Sequence, residues 1–190
     1  MIKLYRAKIT DFTQADYTKM YGLLDCVLKE KIQQKKYEFN KKQSLAGYIL
    51  LFRGVKQLYG KTEFHIKFNE NGKPLCDFCF FSISHNGEHV VCAFSDSPIG
   101  VDIQHIYAIK PRKKYKFFNQ KENCYVNQNK ELLSKRYIEI FTKKEAALKM
   151  LGLSLADAAS IDVFSNEFCF KAVEKDNFIL TFCSKSEQFM

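Results

Sequence analysis

One acid sits inside an apolar strand pattern, and a second sits on the edge of an apolar helix stripe. In Ile99-Gly100-Val101-Asp102-Ile103-Gln104, residues Ile99, Val101 and Ile103 alternate with Asp102 and Gln104, which predicts a strand with its two faces chemically divided. In Phe141-Thr142-Lys143-Lys144-Glu145-Ala146-Ala147-Leu148-Lys149 the spacing is helical, and on the wheel Glu145 falls between Ile138 and Phe141, beside the stripe that holds Leu148. A carboxylate in either place is costly unless something pairs with it. Lys149 lies one turn beyond Glu145 on the same face, either as that partner or as a grip for an anion. Two oxygen donors at Asp102 and Gln104 suit a hard cation such as magnesium, which takes carboxylates, waters and substrate phosphates.

The 190 residues are one domain or two small halves, with apolar content sufficient for a sizeable core. Thirty Lys and Arg against twenty-one Asp and Glu leave a net charge of +9, a surface that attracts phosphorylated ligands, acidic proteins, nucleic acid or anionic lipid alike. Met1-Ile2-Lys3-Leu4-Tyr5-Arg6 has no apolar signal core, and no apolar run is long enough to span a bilayer. Seven cysteines without a regular framework suit a reducing cytoplasm. Cys76-Asp77-Phe78-Cys79 is a single Cys-x-x-Cys without a second pair, a weak signal for zinc or redox use.

The periodicities predict a strand over 2–8, then a helix through Tyr17, Met20, Tyr21, Leu24, Val27 and Leu28. A second helix through Leu45, Tyr48, Ile49, Phe52 and Val55 ends at Gly60. Phe64, Ile66 and Phe68 alternate as a strand turned by Asn71-Gly72, and strands follow over 78–84 and 89–95. After the turn at 95–98 come the Asp102 strand, a basic segment, a helix from Asn119, and the Glu145 helix stopping at Gly152. Hairpin-like stretches are expected around Asn166-Glu167 and Asp176-Asn177.

Five segments in order resemble the 4'-phosphopantetheinyl transferase superfamily, surfactin-synthetase-activating type. They are Asn71-Gly72-Lys73-Pro74, Phe81-Ser82-Ile83-Ser84-His85-Asn86-Gly87, Gly100-Val101-Asp102-Ile103-Gln104, Lys116-Phe117-Phe118-Asn119-Gln120-Lys121-Glu122, and 141–149. The resemblance implies an α+β fold of two similar halves, 1–97 and 98–190, related by a pseudo-twofold axis with the site in the cleft between them. It implies a monomer that moves the phosphopantetheine arm of coenzyme A to a serine of an apo carrier protein, releasing 3',5'-ADP. It places magnesium on Asp102 and Glu145, with Glu145 also the base for the serine and Lys149 on a phosphate. Lys73 and His85 match positions that contact coenzyme A phosphates, although His85 on its own reads first as a turn histidine held by backbone.

The chain also departs from the family. A second acid of the metal strand is Gln104 here, a ligand without charge. Glu122 matches a carboxylate near the metal, yet Asn119-Gln120-Lys121-Glu122 is also a capping-box pattern, and both readings stand. An arginine for the 3'-phosphate aligns with Gln43, which leaves Lys31, Lys41 or Lys42 as substitutes. The run Lys110, Arg112, Lys113, Lys114 and Lys116 is either a solvated loop or a rim that draws an acidic carrier. A basic nucleic-acid module, with Tyr115 and Phe117 stacking bases, is the rival class, but it leaves Asp102 and Glu145 without a use. A non-catalytic homologue is the third reading, prompted by Gln104.

Overall fold

The computed structural model describes residues 1–186. Two three-stranded antiparallel sheets are built by one connectivity used twice. In the first, strand β1 (Lys3–Lys8) is followed by helices α1 (Gln14–Leu23), α2 (Cys26–Gln33) and α3 (Glu38–Tyr59), and a short hairpin of β2 (Lys67–Phe68) and β3 (Pro74–Leu75). Strands β4 (Phe80–Asn86) and β5 (His89–Ser95) then close the sheet in the order β1-β5-β4. In the second, β6 (Gly100–His105) leads through α4 (Gln120–Asn127) and α5 (Leu133–Leu151) to the hairpin of β7 (Phe168–Lys175) and β8 (Phe178–Lys185), in the order β6-β8-β7. Each opening strand therefore pairs with the last strand of its own half. Helices and antiparallel strands alternate in both halves, the α+β architecture that the periodicities predict.

Apolar patterning sets the layers. Leu50, Leu51 and Val55 of α3 are buried with Phe94 of β5, and Ile140, Ala147 and Leu148 of α5 form a second core with Val126. A third cluster joins Val91 and Ala93 of β5 to Ile99, Val101, Ile103 and Phe182. The apolar face of the Asp102 strand thus lies where its alternation puts it. Its other face is turned to α5, at very close range. A β-carbon on Gly100 would lie 1.7 Å from the Ala146 carbonyl oxygen and 2.7 Å from the Met150 amide nitrogen, so only glycine admits this approach.

The two sheets meet at their edge strands, β4 and β6, through side chains rather than a backbone ladder. Ser82 Oγ accepts the Val101 amide at 3.0 Å, Ser84 Oγ the Ile103 amide at 3.3 Å, and Asn86 Oδ1 the His105 amide at 3.2 Å. The period-two spacing of a strand puts these three acceptors in step with three donors. They satisfy the free edge of β6, whose other edge pairs with β8 through Asp102 opposite Thr181.

Several local expectations change. The first helix is two helices, because Leu24 is extended and the Asp25 carboxylate accepts the Leu28 amide at 2.8 Å, starting α2 afresh. Of the strand read over Phe64, Ile66 and Phe68, only Lys67–Phe68 is a strand; Phe64 instead packs against Phe52, with ring centroids 4.5 Å apart. The strand read over 78–84 lies at Phe80–Asn86, since Asp77 and Phe78 turn the chain. Asp176 and Asn177, both at positive φ, make the β7–β8 hairpin turn. Asn166-Glu167 makes no hairpin and only leads into β7. Gly60 and Gly152 end α3 and α5 in the left-handed conformation expected of them.

Candidate active site

Three adjacent charges on α5 have three separate destinations, which follow from their places on the helix. Lys143 pairs with Glu139 one turn back at 2.8 Å. Lys144 shares a row with Ile140 and Leu148, points into the core, and meets Glu122 at 2.9 Å, both side chains almost wholly buried. Glu145 turns the other way, into a cleft of about 600 Å³ at the seam of the two sheets. Asp102, Gln104, Ser84, His85, Lys149 and Lys31 line the same cleft.

Asp102 is 1% exposed, and its carboxylate is held on three sides. Lys149 donates to Oδ1 at 2.6 Å, Ser84 Oγ donates to Oδ1 at 2.7 Å, and Gln104 Nε2 donates to Oδ2 at 3.2 Å. Lys149 Nζ also reaches Ser84 Oγ at 2.8 Å, closing a triangle of charge-assisted bonds. Asn86 Nδ2 donates to Gln104 Oε1 at 2.7 Å, which turns the amide nitrogen of Gln104 towards Asp102. No salt bridge or hydrogen bond holds Glu145 among the described residues. Burial pushes its carboxyl up from the ordinary value, Lys149 pulls it partly back, and the Asp102 charge adds to the rise.

His85 faces the same space. Burial above all, then the Lys149 and Lys35 ammonium groups, bring its imidazole down to about 4, so it is neutral near pH 7. The sign has a measurable consequence. An unfolded chain takes up a proton on His85 near pH 6.5 that the folded one refuses, so stability falls as pH drops from 6.5 towards 4. We expect His85→Gln to flatten this loss by about 3 kcal/mol or less, from denaturant midpoints of both proteins at each pH. Parallel curves for the two proteins would show that His85 titrates normally.

Not every candidate residue reaches this cleft. Lys31 does, with its ammonium 4.3 Å from the Phe68 ring centre, and Lys35 joins it. Lys42 lies instead over the Tyr17 ring at 6.0 Å, in a separate groove with Lys41. Gln43 is buried, and its amide donates to the Gly87 carbonyl at 2.8 Å, bracing the β4–β5 turn. Lys73 does not line the cleft. Its ammonium donates to the Met150 carbonyl at 2.9 Å, while Asn69 and Asn71 donate to the Gly152 carbonyl, so this turn caps the C-terminus of α5. Burial lowers the Lys73 ammonium from its ordinary value.

Glu122 is corrected as a metal ligand. Its Oε2 accepts the Asn119 amide at 2.7 Å and Lys144 at 2.9 Å, and its Oε1 accepts the Val163 amide at 3.1 Å. Both of its oxygens are engaged within the second core, its side chain is wholly buried, and it is absent from the cleft. The capping box is real, and α4 begins with it. A larger groove of about 770 Å³ lies along Arg112, Lys113, Lys114 and Phe118, but no carboxylate lines it. The basic run therefore faces a groove of its own.

Sequence reasoning missed Ser84 and Lys35. Ser82, Ser84 and Asn86 alternate with Phe81, Ile83 and His85, a polar row at strand spacing that signals a face with a hydrogen-bonding task. Lys35 carries no such signal. The pattern of the 4'-phosphopantetheinyl transferase superfamily matches residues 98–189, the stretch that carries Asp102, Glu145 and Lys149. Over that stretch the chain is similar to that superfamily.

Among curated members, the chain is similar to the 4'-phosphopantetheinyl transferase gsp of Aneurinibacillus migulanus, 36% identical over 116 residues, covering 58% of this chain and 48% of that one. It is also similar to the 4'-phosphopantetheinyl transferase Sfp of Bacillus subtilis (strain 168), 28% identical over 144 residues, covering 72% and 63%. The matched stretch thus spans about half of the first relative and under two thirds of the second. Transferases of this superfamily supply the reading that the cleft must be tested against. Asp102 and Glu145 are its two carboxylates, the Gln104 amide oxygen beside them being bonded to Asn86, and among the described residues no group of three or more His, Cys, Asp or Glu side chains is placed to hold a metal. Such a set suits magnesium, which keeps several waters and shares its coordination with substrate phosphates. A buried carboxylate whose pKa is raised, in a cleft beside a second acid and a lysine, marks Glu145 as a candidate reactive group. No helix among the described residues is long and apolar enough to cross a membrane.

Proposed function

We propose that this protein transfers the 4'-phosphopantetheine arm of coenzyme A to a serine hydroxyl of an apo carrier protein and releases 3',5'-ADP. The observation that carries this reading is the meeting of Asp102, Glu145 and Lys149 in one cleft between the two halves, 1–97 and 98–190. Magnesium, held by Asp102 and Glu145, would neutralise charge on the pyrophosphate. Ser84 fixes the Asp102 carboxylate, and the buried Glu145 is placed to take the serine proton, its raised pKa bringing it nearer to working pH. Lys149, ion-paired to Asp102 at 2.6 Å, would contact a phosphate oxygen and stabilise charge on the leaving group. Lys31, Lys35 and neutral His85 line the same cleft for the remaining phosphates. A dianionic phosphate against His85 draws its pKa back up and favours binding at lower pH.

One chain supplies both walls of the cleft, which supports a monomer. The run from Lys110 to Lys116 is exposed for the most part and offers an acidic carrier a complementary surface. Mass spectrometry of apo carriers incubated with coenzyme A, magnesium and the protein tests the reading. A carrier that gains one phosphopantetheine arm bears it out; unchanged masses across fatty-acid, polyketide and peptide carriers overturn it.

Gln104 tunes the metal. Gln104 carries no charge, so the strand would offer the cation only the charge of Asp102, and the Asn86 bond also turns the amide oxygen away from it. Gln104→Glu is expected to lower the magnesium concentration for half-maximal rate on the order of ten-fold, by close-range attraction. Gln104→Ala, which frees Asn86 and removes a donor to Asp102, shifts the titration the other way. Coincident magnesium titrations for all three proteins would place Gln104 outside the metal's influence.

A further inference from the structure

The Cys-x-x-Cys segment has no part in the chemistry above, yet the fold brings its two cysteines face to face. Cys76 and Cys79 form an isolated antiparallel bridge across the two-residue turn Asp77-Phe78, between β3 and β4. Residues that flank such a turn have α-carbons under about 7 Å apart and side chains on the same face, and a disulfide spans α-carbons about 4.4–6.8 Å apart. Both thiols are free, Cys76 half-buried and Cys79 buried. Burial, then the charge and hydrogen bonding of Cys76 beside it, hold the Cys79 thiol up to about 12. Lys67 grips the turn from outside by a bidentate pair to Asp77 at 2.9 and 3.0 Å.

We propose that Cys76 and Cys79 are a reversible dithiol–disulfide site, oxidised by small-molecule disulfides such as glutathione disulfide. Cys76, the more accessible, attacks one sulfur of the reagent and expels a thiolate, leaving a mixed disulfide on Cys76. Cys79 then gives up its proton and attacks the Cys76 sulfur, expelling the second thiolate, and its raised pKa makes this the slow step. One S–S bond is broken and one formed; the protein loses two electrons and two protons, and the reagent leaves as two thiols. The ring encloses only two residues, so it constrains the unfolded chain little and is readily reduced again. The consequence lies next door, since β3 pairs with β2, and Phe68 and Pro74 of that hairpin line the cleft. Closing the bridge fixes one wall of the active site.

Cys92, wholly buried, is the neighbour that competes, because Cys79 also acts on its thiol. Cys26 and Cys124 are exposed and serve as internal controls. The test is to incubate the folded protein with glutathione disulfide, alkylate free thiols, and map the cysteines by peptide mass spectrometry. The expected result is a Cys76–Cys79 link, lost on adding dithiothreitol, while Cys26 and Cys124 carry glutathione. Cys76→Ala is expected to leave Cys79 alkylated only after unfolding. A Cys79–Cys92 link overturns the proposal. So does glutathione retained on Cys76, or both thiols still reduced when the exposed controls are fully modified.

Discussion

Asp102→Asn and Glu145→Gln are each expected to cut the transfer rate by about a thousand-fold or more, the scale seen when charge aimed at a transition state is removed. Both substitutions keep shape, although each turns one acceptor oxygen into a donor nitrogen, which at 102 loses the bond from the Gln104 amide. Asn at 102 still accepts from Ser84 but no longer neutralises Lys149, which remains 28% exposed and can turn to water. The fold should therefore survive, with thermal midpoints close to wild type, and the loss should fall on kcat more than on KM for coenzyme A. Glu145→Gln would remove the proposed base and one of the two carboxylate charges proposed to hold the metal while relieving repulsion with Asp102, so its stability should hold or rise slightly. Rates measured at saturating magnesium separate weak metal binding from lost chemistry. Turnover within a few-fold of wild type for Glu145→Gln would take the proton-accepting role away from Glu145.

The second large effect is on stability. Lys144 is 1% exposed and bonds to Glu122, the Ala158 carbonyl at 2.8 Å and the Ile161 carbonyl at 2.5 Å. Burial lowers its ammonium from the ordinary value, and Glu122 raises it partly back. Removing either partner leaves a buried charge unpaired, so Glu122→Ala and Lys144→Ala are each expected to cost about 3–5 kcal/mol. In a chain of this size that lowers the thermal midpoint by roughly 6–20 °C. Glu122→Leu combined with Lys144→Met should recover only part of the loss. The pair removes both charges, but the Asn119 and Val163 amides and two carbonyls lose their partners. Folded Glu122→Ala should still transfer phosphopantetheine at low temperature. A stable Glu122→Ala protein with abolished transfer and altered magnesium dependence would return Glu122 to the metal.

The same two residues show where sequence reading stops. The capping-box spacing of Asn119 and Glu122 is local, and a local rule suffices to predict the helix start. The ion pair of Glu122 with Lys144 joins α4 to α5, and only packing selects it, although the apolar row Ile140, Lys144, Leu148 marks Lys144 as pointing inward. Gln104 was legible as a neighbour of Asp102 because strands place i and i+2 on one face. The orientation of its amide depends on Asn86, which lies across the seam on another sheet.

The sequence by itself determined the α+β class, the faces of β6 and α5, and the pairing of Asp102 with Glu145 as the chemistry to explain, because periodicity and burial cost act along the chain. It also settled where α3 and α5 end, because glycine is the residue that adopts the left-handed caps at 60 and 152 at least cost. Tertiary structure alone decided that Ser84 and Lys149 hold Asp102, that Lys73 caps α5, that Lys42 faces elsewhere, and that Lys35 enters the cleft. Those outcomes depend on which edge strand meets which, at distances of a few ångströms. Side-chain reach and register across the seam fix them, and neither is written in the spacing of residues along one element.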